Sequence, residues 1–187
     1  MKNIYQKPAK IIFIEGAWGS GKTTLIGVLK KISRGKIKIL KEPNHLSSHK
    51  KGSLEKITDW YMNAHYKNIN KAIELVKKNH VVIVERSPIS CIAFMEAYLN
   101  KNKKTITKEV LRLEKELLKI STLNTDRATF LYLKNNTPRA LARLNSRTHL
   151  KPLASEKLLS TLSRSMDKKI IGLKKKGIIN LQILKNE

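Results

Sequence analysis

Short apolar runs alternate with longer amphipathic stretches along this chain. The apolar runs are rich in isoleucine, valine and leucine, and they predict strands over residues 11–15, 36–40, 81–84, 129–133 and 178–184. The first and third runs are continuously apolar and do not alternate with polar residues. That pattern is typical of strands that are buried on both faces of a sheet.

The amphipathic stretches place apolar residues three or four positions apart, which is the spacing of one helix face. They predict helices over residues 23–33, 54–79, 88–99, 107–123 and 155–175. A sixth helix is expected to start at Thr137, where a threonine followed by Pro138 provides an N-cap and a first-turn proline. Gly35 and Gly177 follow two of the helices and are expected to end them.

Strands that alternate with helices predict an α/β fold, here a five-stranded parallel sheet flanked by helices in three layers. In such sheets ligands bind beyond the carboxyl ends of the strands. At 187 residues the chain has room for one domain with a proper core, and not for a second domain of comparable size. We therefore expect a single domain over residues 1–187.

The charge balance is strongly basic, with 39 lysines and arginines, 14 aspartates and glutamates, and a net charge of +25. A charge of this size favours a polyanionic partner such as nucleic acid. The lysines, however, are spread over the predicted helix faces. A solvated surface whose lysine content reflects compositional drift, with no role in binding, explains the charge equally well. A nucleotide-dependent nucleic-acid-binding module stays open as an alternative function.

Hydropathy and cysteine content indicate the compartment. No apolar run approaches the ~20 residues of a membrane span, and the first ten residues have no apolar signal-peptide core. We therefore expect a cytoplasmic protein without a membrane partner. The single cysteine, Cys91, excludes an intramolecular disulfide and a cysteine-cluster metal site, and it is expected to be a small buried side chain.

The connection after the first strand carries a phosphate-binding pattern. It matches G-x-x-x-x-G-K-[ST] at Gly16, Gly21, Lys22 and Thr23. Glycines let the backbone wrap closely around phosphates at the start of a helix. Lys22 is expected to reach the β- and γ-phosphates, and Thr23 to ligate Mg²⁺. The whole loop is expected to hold ATP, through Gly16, Ala17, Trp18, Gly19, Ser20, Gly21, Lys22, Thr23 and Thr24. The alternative is a glycine turn that only links strand to helix.

Three charged side chains follow other predicted strands and should meet this loop at the same edge of the sheet. Glu85 ends a buried strand, where Mg²⁺ is a natural partner and a salt bridge to Arg86 or Lys22 is the alternative. Arg86 offers a planar fork for a phosphate or for a reacting hydroxyl, or else forms a structural ion pair. Glu42 is a candidate general base, or it caps the adjoining loop.

The predicted helix after residue 137 carries three arginines. Arg139, Arg143 and Arg147 are four residues apart and so share one helix face. Arginines on a mobile lid stabilise the charge of a phosphoryl group in transfer. We expect a lid around residues 139–152, with Arg143 and Arg147 as its catalytic side chains; the alternative is a solvated basic face. A GTPase would show D-x-x-G and N-K-x-D, which the sequence lacks, so a small kinase is favoured.

These motifs resemble those of the deoxynucleoside kinase and thymidylate kinase superfamily, and more closely the deoxynucleoside kinases. The first motif, residues 14–24, is similar to the I-E-G-x-x-G-S-G-K-T-T loop of that family. Glu42-Pro43 resembles its E-P motif and Glu85-Arg86-Ser87 its E-R-S motif. Thymidylate kinases usually have R-E-P-G-G-T and D-R-Y at these places, which makes them the second alternative.

The resemblance implies ATP-dependent phosphorylation of a deoxynucleoside 5′-hydroxyl. It implies that Glu42 is the catalytic base, that Glu85 assists Mg²⁺, and that Arg86 holds the reacting end of the substrate. The base-reading segment would lie within residues 60–70, where the glutamine typical of the family is absent and Tyr61, Asn63, His65 and Tyr66 are candidates.

The chain departs from the family pattern in the lid region. The lid is one residue short between Pro138 and Arg143, and no acidic residue follows the arginines within 148–152. The resemblance therefore assigns no residue to the sugar 3′-hydroxyl. A kinase for another small hydroxylated molecule is a separate alternative. The long helices over 54–79 and 107–123 could also pair in a homodimer.

Overall fold

The computed structural model describes residues 10–44, 52–78, 81–122, 128–134, 136–146 and 155–185. Within these residues five strands form one parallel sheet in the order β2-β3-β1-β4-β5. The strands are β1 (Ile11–Glu15), β2 (Ile37–Leu40), β3 (Val81–Glu85), β4 (Thr129–Lys134) and β5 (Asn180–Lys185). The predicted five-stranded parallel sheet is confirmed.

Six helices connect the strands in the described part of the chain. They are α1 (Lys22–Ile32), α2 (Leu54–Val76), α3 (Pro88–Ala97), α4 (Lys103–Ser121), α5 (Thr137–Asn145) and α6 (Glu156–Lys175). Each of the predicted helices is present. The largest difference is at α4, which begins four residues before the predicted start.

Capping side chains explain two differences at the helix starts. α4 begins early because the side chain of Asn102 accepts a hydrogen bond from the Thr105 backbone N–H at 2.9 Å. In α5 the N-cap is Asn136, whose side chain accepts from the Arg139 N–H at 3.2 Å. The assignment of Thr137 as N-cap is therefore wrong by one residue, because asparagine caps a helix as well as threonine does.

The two faces of the sheet are covered differently. One face packs on α1 and buries Ile14, Ile26, Ile83 and Leu133. The other face lies under α2, α3, α4 and α6, and the larger part of the core is there, with the rings of Phe13 and Phe130 stacked 4.8 Å apart at its centre. Helices on both faces give the three predicted layers.

The carboxyl ends of parallel strands meet at one edge of the sheet, which we call the carboxyl edge. It brings together the loop after β1, residues 41–44 after β2 and residues 85–87 at the end of β3. Cys91 lies in α3 as a buried free thiol, as expected. Across the described ranges, no helix has the length and apolar character needed to cross a membrane.

Candidate active site

The loop from Gly16 to Gly21, which we call the phosphate loop, joins β1 to α1 and leaves no room for a Cβ at Gly16 and Gly19. A Cβ on Gly19, whose φ is +74°, would lie 2.8 Å from the backbone of Ala140 in α5. A Cβ on Gly16 would lie 2.7 Å from the carbonyl oxygen of Leu133. Gly21 is the N-cap of α1 and supplies no capping side chain. A glycine loop that opens a helix in this way is suited to bind phosphate through backbone N–H groups.

Lys22 folds back over this loop, and its side chain is almost fully buried. Its Nζ donates hydrogen bonds to the carbonyl oxygens of Gly16 at 2.8 Å and Ala17 at 2.9 Å, and to the Ser20 hydroxyl at 3.3 Å. Burial and the nearby charge of Arg86 lower the pKa of Lys22 to about 7. An ammonium group with so little solvation is stabilised strongly by an anionic partner such as a phosphate.

Glu85 lies beside the start of α1, with its two carboxylate oxygens on different partners. Oε1 accepts a hydrogen bond from the Thr23 hydroxyl at 3.0 Å, and Oε2 accepts from the Glu42 backbone N–H at 3.3 Å. A carboxylate and a hydroxyl next to a phosphate loop are the oxygen ligands that Mg²⁺ prefers. The described residues contain no group of three or more acidic, histidine or cysteine side chains that would form a metal site by themselves.

Arg86 links Glu42 to the phosphate loop. Its Nε lies 2.8 Å from Oε1 of Glu42, and its Nη1 donates to the Gly16 carbonyl at 3.2 Å and to the Ser90 hydroxyl at 2.9 Å. Burial acts to raise the pKa of Glu42, but the nearby charges of Arg86 and Lys22 hold it below its usual value. Glu42 is therefore ionised at neutral pH.

The residues predicted to read the base lie on α2 and separate into two groups. His65 is buried near Glu42 and Arg86, and its Nδ1 has no hydrogen-bond partner among the described residues. Its ring stacks on that of Tyr61, with the centroids 6.2 Å apart. Burial lowers the pKa of His65 to about 4, so its imidazole is neutral at pH 7.

Tyr66 points away from this group, toward α4. Its hydroxyl donates to the Glu109 carbonyl at 3.4 Å, and the Arg112 guanidinium lies 4.0 Å from its ring centroid. Of the predicted substrate residues, the structure thus places His65 next to the Glu42–Arg86 pair and packs Tyr66 against another helix. Asn63 is exposed on α2.

The predicted lid arginines are found in different settings. Nη1 of Arg143 donates to the Gly19 carbonyl at 2.8 Å, which joins α5 to the phosphate loop. Arg139 is exposed on the same helix, and Arg147 lies outside the described residues, as does the rest of the region up to residue 154. The buried side chains of Ala140 and Leu144 pack α5 against α6 and against the partly buried Trp18 of the loop. The first two turns of α5 therefore contact the loop directly.

One buried carboxylate at the carboxyl edge was not among the predicted site residues. Glu15, at the end of β1, is fully buried and contacts Gly16, Ser87 and Ser90. The sequence contains a signal for it, because an acid that ends a continuously apolar strand must find polar partners. The two serines lie 72 and 75 residues away, so their role depends on the folded structure.

Comparison with known proteins identifies relatives of this chain. The family model described as deoxynucleoside kinase matches residues 12–185. A structure of deoxyadenosine kinase from M. mycoides with bound dATP shares 18% identity at a TM-score of 0.63, over 93% of this chain and 90% of that chain. A second structure of that enzyme, with the products dCMP and a flexible dCDP, shares 20% identity at 0.61, over 93% and 89%. None of the curated proteins matches the chain.

Proposed function

The chain belongs to the deoxynucleoside kinase family and is therefore a nucleoside phosphotransferase, and from this premise we propose that it transfers the γ-phosphoryl group of ATP to the 5′-hydroxyl of a deoxynucleoside. The observation that supports this reaction best is the 2.8 Å contact between Arg86 and Glu42 beside the phosphate loop. This contact supports the proposal because it brings the ionised Glu42 carboxylate and the Arg86 cation together beside that loop.

The phosphate loop is proposed to hold ATP. Its backbone N–H groups and those of the first turn of α1 would surround the phosphates, and Lys22 would exchange the carbonyls of Gly16 and Ala17 for phosphate oxygens. The exchange is favourable because a phosphate compensates the buried ammonium charge better than neutral carbonyl oxygens do.

Thr23 and Glu85 fit a magnesium ion that accompanies the phosphates. Their oxygens already lie 3.0 Å apart in a hydrogen bond, at the helix that the phosphate loop opens. When bound, the ion would neutralise negative charge on the phosphates of the donor. The hydrogen bond from the Glu42 N–H to Glu85 ties this pair to the segment that carries the proposed base.

Glu42 is proposed to accept the proton of the acceptor hydroxyl. It is ionised at neutral pH and, with a side chain 36% exposed, can be reached by an acceptor. As the hydroxyl oxygen bonds to the γ-phosphorus, the bond to the ADP oxygen breaks and the hydroxyl proton passes to Glu42, which later releases it to solvent. Arg86 would orient the acceptor oxygen, because its guanidinium is fixed by partners on both sides.

Residues 139–152 are proposed to form the lid, with Arg143 and Arg147 over the moving phosphoryl group. The contact of Arg143 with the Gly19 carbonyl supports this, because it already places a guanidinium at the phosphate loop. An arginine in that position stabilises charge on the equatorial oxygens during transfer.

His65 and Tyr61 are proposed to contact the base of the acceptor. A neutral imidazole offers one donor and one acceptor, and Nδ1 of His65 is buried without a partner among the described residues. The solved relatives bind dATP, dCMP and dCDP, so deoxyadenosine and deoxycytidine are the first acceptors to test.

The proposal is tested by an ATP-consumption screen over nucleosides and nucleoside monophosphates, with product identification by mass spectrometry. We expect ADP and a deoxynucleoside 5′-monophosphate to form in equal amounts. Transfer to monophosphates alone would instead identify a nucleoside monophosphate kinase. Binding of DNA or RNA at physiological salt without any transfer would overturn the proposal in favour of a nucleic-acid-binding module.

A further inference from the structure

Glu15 is a fully buried carboxylate that accepts four hydrogen bonds. Its Oε1 accepts from the backbone N–H and the hydroxyl of Ser87, both at 2.6 Å. Its Oε2 accepts from the Ser90 hydroxyl at 3.0 Å and from the Gly16 N–H at 3.3 Å. One side chain thus joins the end of β1, the start of the phosphate loop, the end of β3 and the first turn of α3.

The partners of the two serines fix the direction of these bonds. The Ser87 hydroxyl accepts from the Ile89 N–H at 3.2 Å, and the Ser90 hydroxyl accepts from Nη1 of Arg86 at 2.9 Å. Each hydroxyl therefore directs its single proton toward Glu15, and all four contacts donate to the carboxylate. Burial raises the pKa of Glu15, and the charge of Arg86 and the serine bonds oppose that effect.

The backbone at Arg86 also depends on Glu15. Arg86 has φ +65°, in the left-handed region, which is strained for a residue with a Cβ. The next amide, that of Ser87, donates to Glu15 and so holds the peptide that follows the strained residue. Glu15 thus restrains Arg86 twice, at its guanidinium through Ser90 and at its backbone through Ser87.

We propose that Glu15 is a positioning residue for phosphoryl transfer, which holds the Arg86 guanidinium toward Glu42 and the acceptor hydroxyl by way of Ser90 and the Ser87 amide. This inference rests on the function proposed above, since Arg86 is the group through which Glu15 acts. Without the restraint, Nη1 would no longer be held at the Ser90 hydroxyl, and the guanidinium would sample other orientations relative to Glu42. A misplacement of about 1 Å in a reacting group can lower a rate by roughly 100-fold.

Two variants remove the restraint to different degrees. Ser90→Ala deletes the hydroxyl between Glu15 and Arg86 and is expected to lower kcat about 10-fold, with KM for ATP within about 2-fold of wild type. Glu15→Gln is expected to lower kcat roughly 100-fold, and the double variant should be no worse than Glu15→Gln, because both changes break one chain of bonds. Ser90→Thr keeps a hydroxyl and should restore most of the loss.

The matched control is Glu96→Gln, also on α3. Glu96 is bonded to Ser165 and Lys169 of α6, away from the carboxyl edge, so this variant loses a carboxylate–serine contact without reaching Arg86. We expect its kcat to stay within about 2-fold of wild type. Each kcat is normalised to the concentration of folded protein.

A measurement independent of turnover separates this inference from the proposed function. In arginine-¹⁵N-labelled protein, with the Arg86 Nε–H signal assigned by Arg86→Lys, we expect that signal to shift and to exchange faster with solvent in Ser90→Ala and Glu15→Gln. It should be unchanged in Glu96→Gln. An unchanged Arg86 signal in both test variants, or kcat losses no larger than that of the control, would overturn the role of Glu15. A wild-type protein that phosphorylates no nucleoside would overturn the proposed function, while the signal would still decide whether Glu15 restrains Arg86.

Discussion

Two parts of the molecule bring charged side chains to the phosphate loop, and they hold them in different ways. At the carboxyl edge, Glu15, Glu85 and Arg86 are buried, and each is bonded to at least two neighbouring groups. On α5, Arg143 and Arg139 are exposed, and Arg143 reaches the loop through a bond to a backbone carbonyl.

The charged groups of the carboxyl edge are held in position by the fold, whereas the arginines of α5 are free to move. A buried, multiply bonded charge is costly to displace, because any lost partner leaves a polar group unsatisfied. An exposed hydrogen bond is worth little and exchanges readily with water. Under the proposed function, the carboxyl edge is preorganised for transfer, whereas the exposed Arg143 side chain can exchange its bond to the Gly19 carbonyl for a bond to a nucleotide. The following predictions test this division.

The largest effect is expected at Lys22. Replacing Lys22 by Met removes the ammonium group and keeps a side chain of similar length, so nucleoside phosphorylation should fall by roughly 1,000-fold. The melting temperature should fall only modestly, because the loss of the Lys22 hydrogen bonds to Gly16, Ala17 and Ser20 is offset by the removal of a buried charge. Turnover and thermal melting measure the two expectations. A loss of activity that parallels a loss of folded protein would place Lys22 among structural residues.

A smaller effect is expected on α5, and there the chain provides its own control. Arg143→Ala should lower kcat roughly 100-fold, because a cation that stabilises the transferred charge is lost, with the melting temperature unchanged. Arg139→Ala, on the same helix and exposed, should change kcat by less than about 3-fold. Equal losses in the two variants would indicate a general effect of positive charge on nucleotide binding.

At His65 the effect should appear in substrate recognition. His65→Asn is expected to raise KM for the deoxynucleoside about 10-fold and to leave KM for ATP unchanged, because a contact with the base is removed. Asn63→Ala, two residues from His65 and on the exposed side of α2, serves as control. If KM for ATP rises instead, His65 contributes to the binding of ATP and not to recognition of the base.

The smallest effect is a pH dependence of ATP binding. The pKa of Lys22 is about 7 without ligand, and bound phosphate favours the ammonium form, so binding above pH 7 takes up a proton. ATP affinity should therefore fall as the pH rises, by about 5-fold between pH 7 and 8. Calorimetry in two buffers of different ionisation enthalpy would detect the proton. Lys22→Met provides the baseline, and an identical pH profile in that variant would exclude Lys22 as the source.

The fold and the loop were predictable from local patterns. Apolar runs located the strands, and the alternation of strands with helices placed residues 42 and 85–87 beside the phosphate loop by the geometry of parallel sheets alone. Helix starts were less accurate, because a capping asparagine at position 102 or 136 looks like any other polar residue in a loop.

Contacts between distant elements could not be predicted. The serine partners of Glu15 and the positive φ of Arg86 arise only when β1, β3 and α3 are packed together. Likewise, a helical segment suspected to read the base contains both His65 at the site and Tyr66 packed on α4, and the one-residue difference turns the side chains by about 100° around the helix.

The most direct test of the account is the turnover of Glu42→Gln with the best deoxynucleoside acceptor. Glutamine keeps the shape of the side chain but cannot accept the hydroxyl proton as a base, so kcat should fall by a factor of roughly 100 to 1,000 while the dissociation constant of ATP is unchanged. Turnover equal to that of wild type would contradict the account. In that case Glu42 is not the base, and an acceptor that carries its own ionisable phosphate would fit the site better.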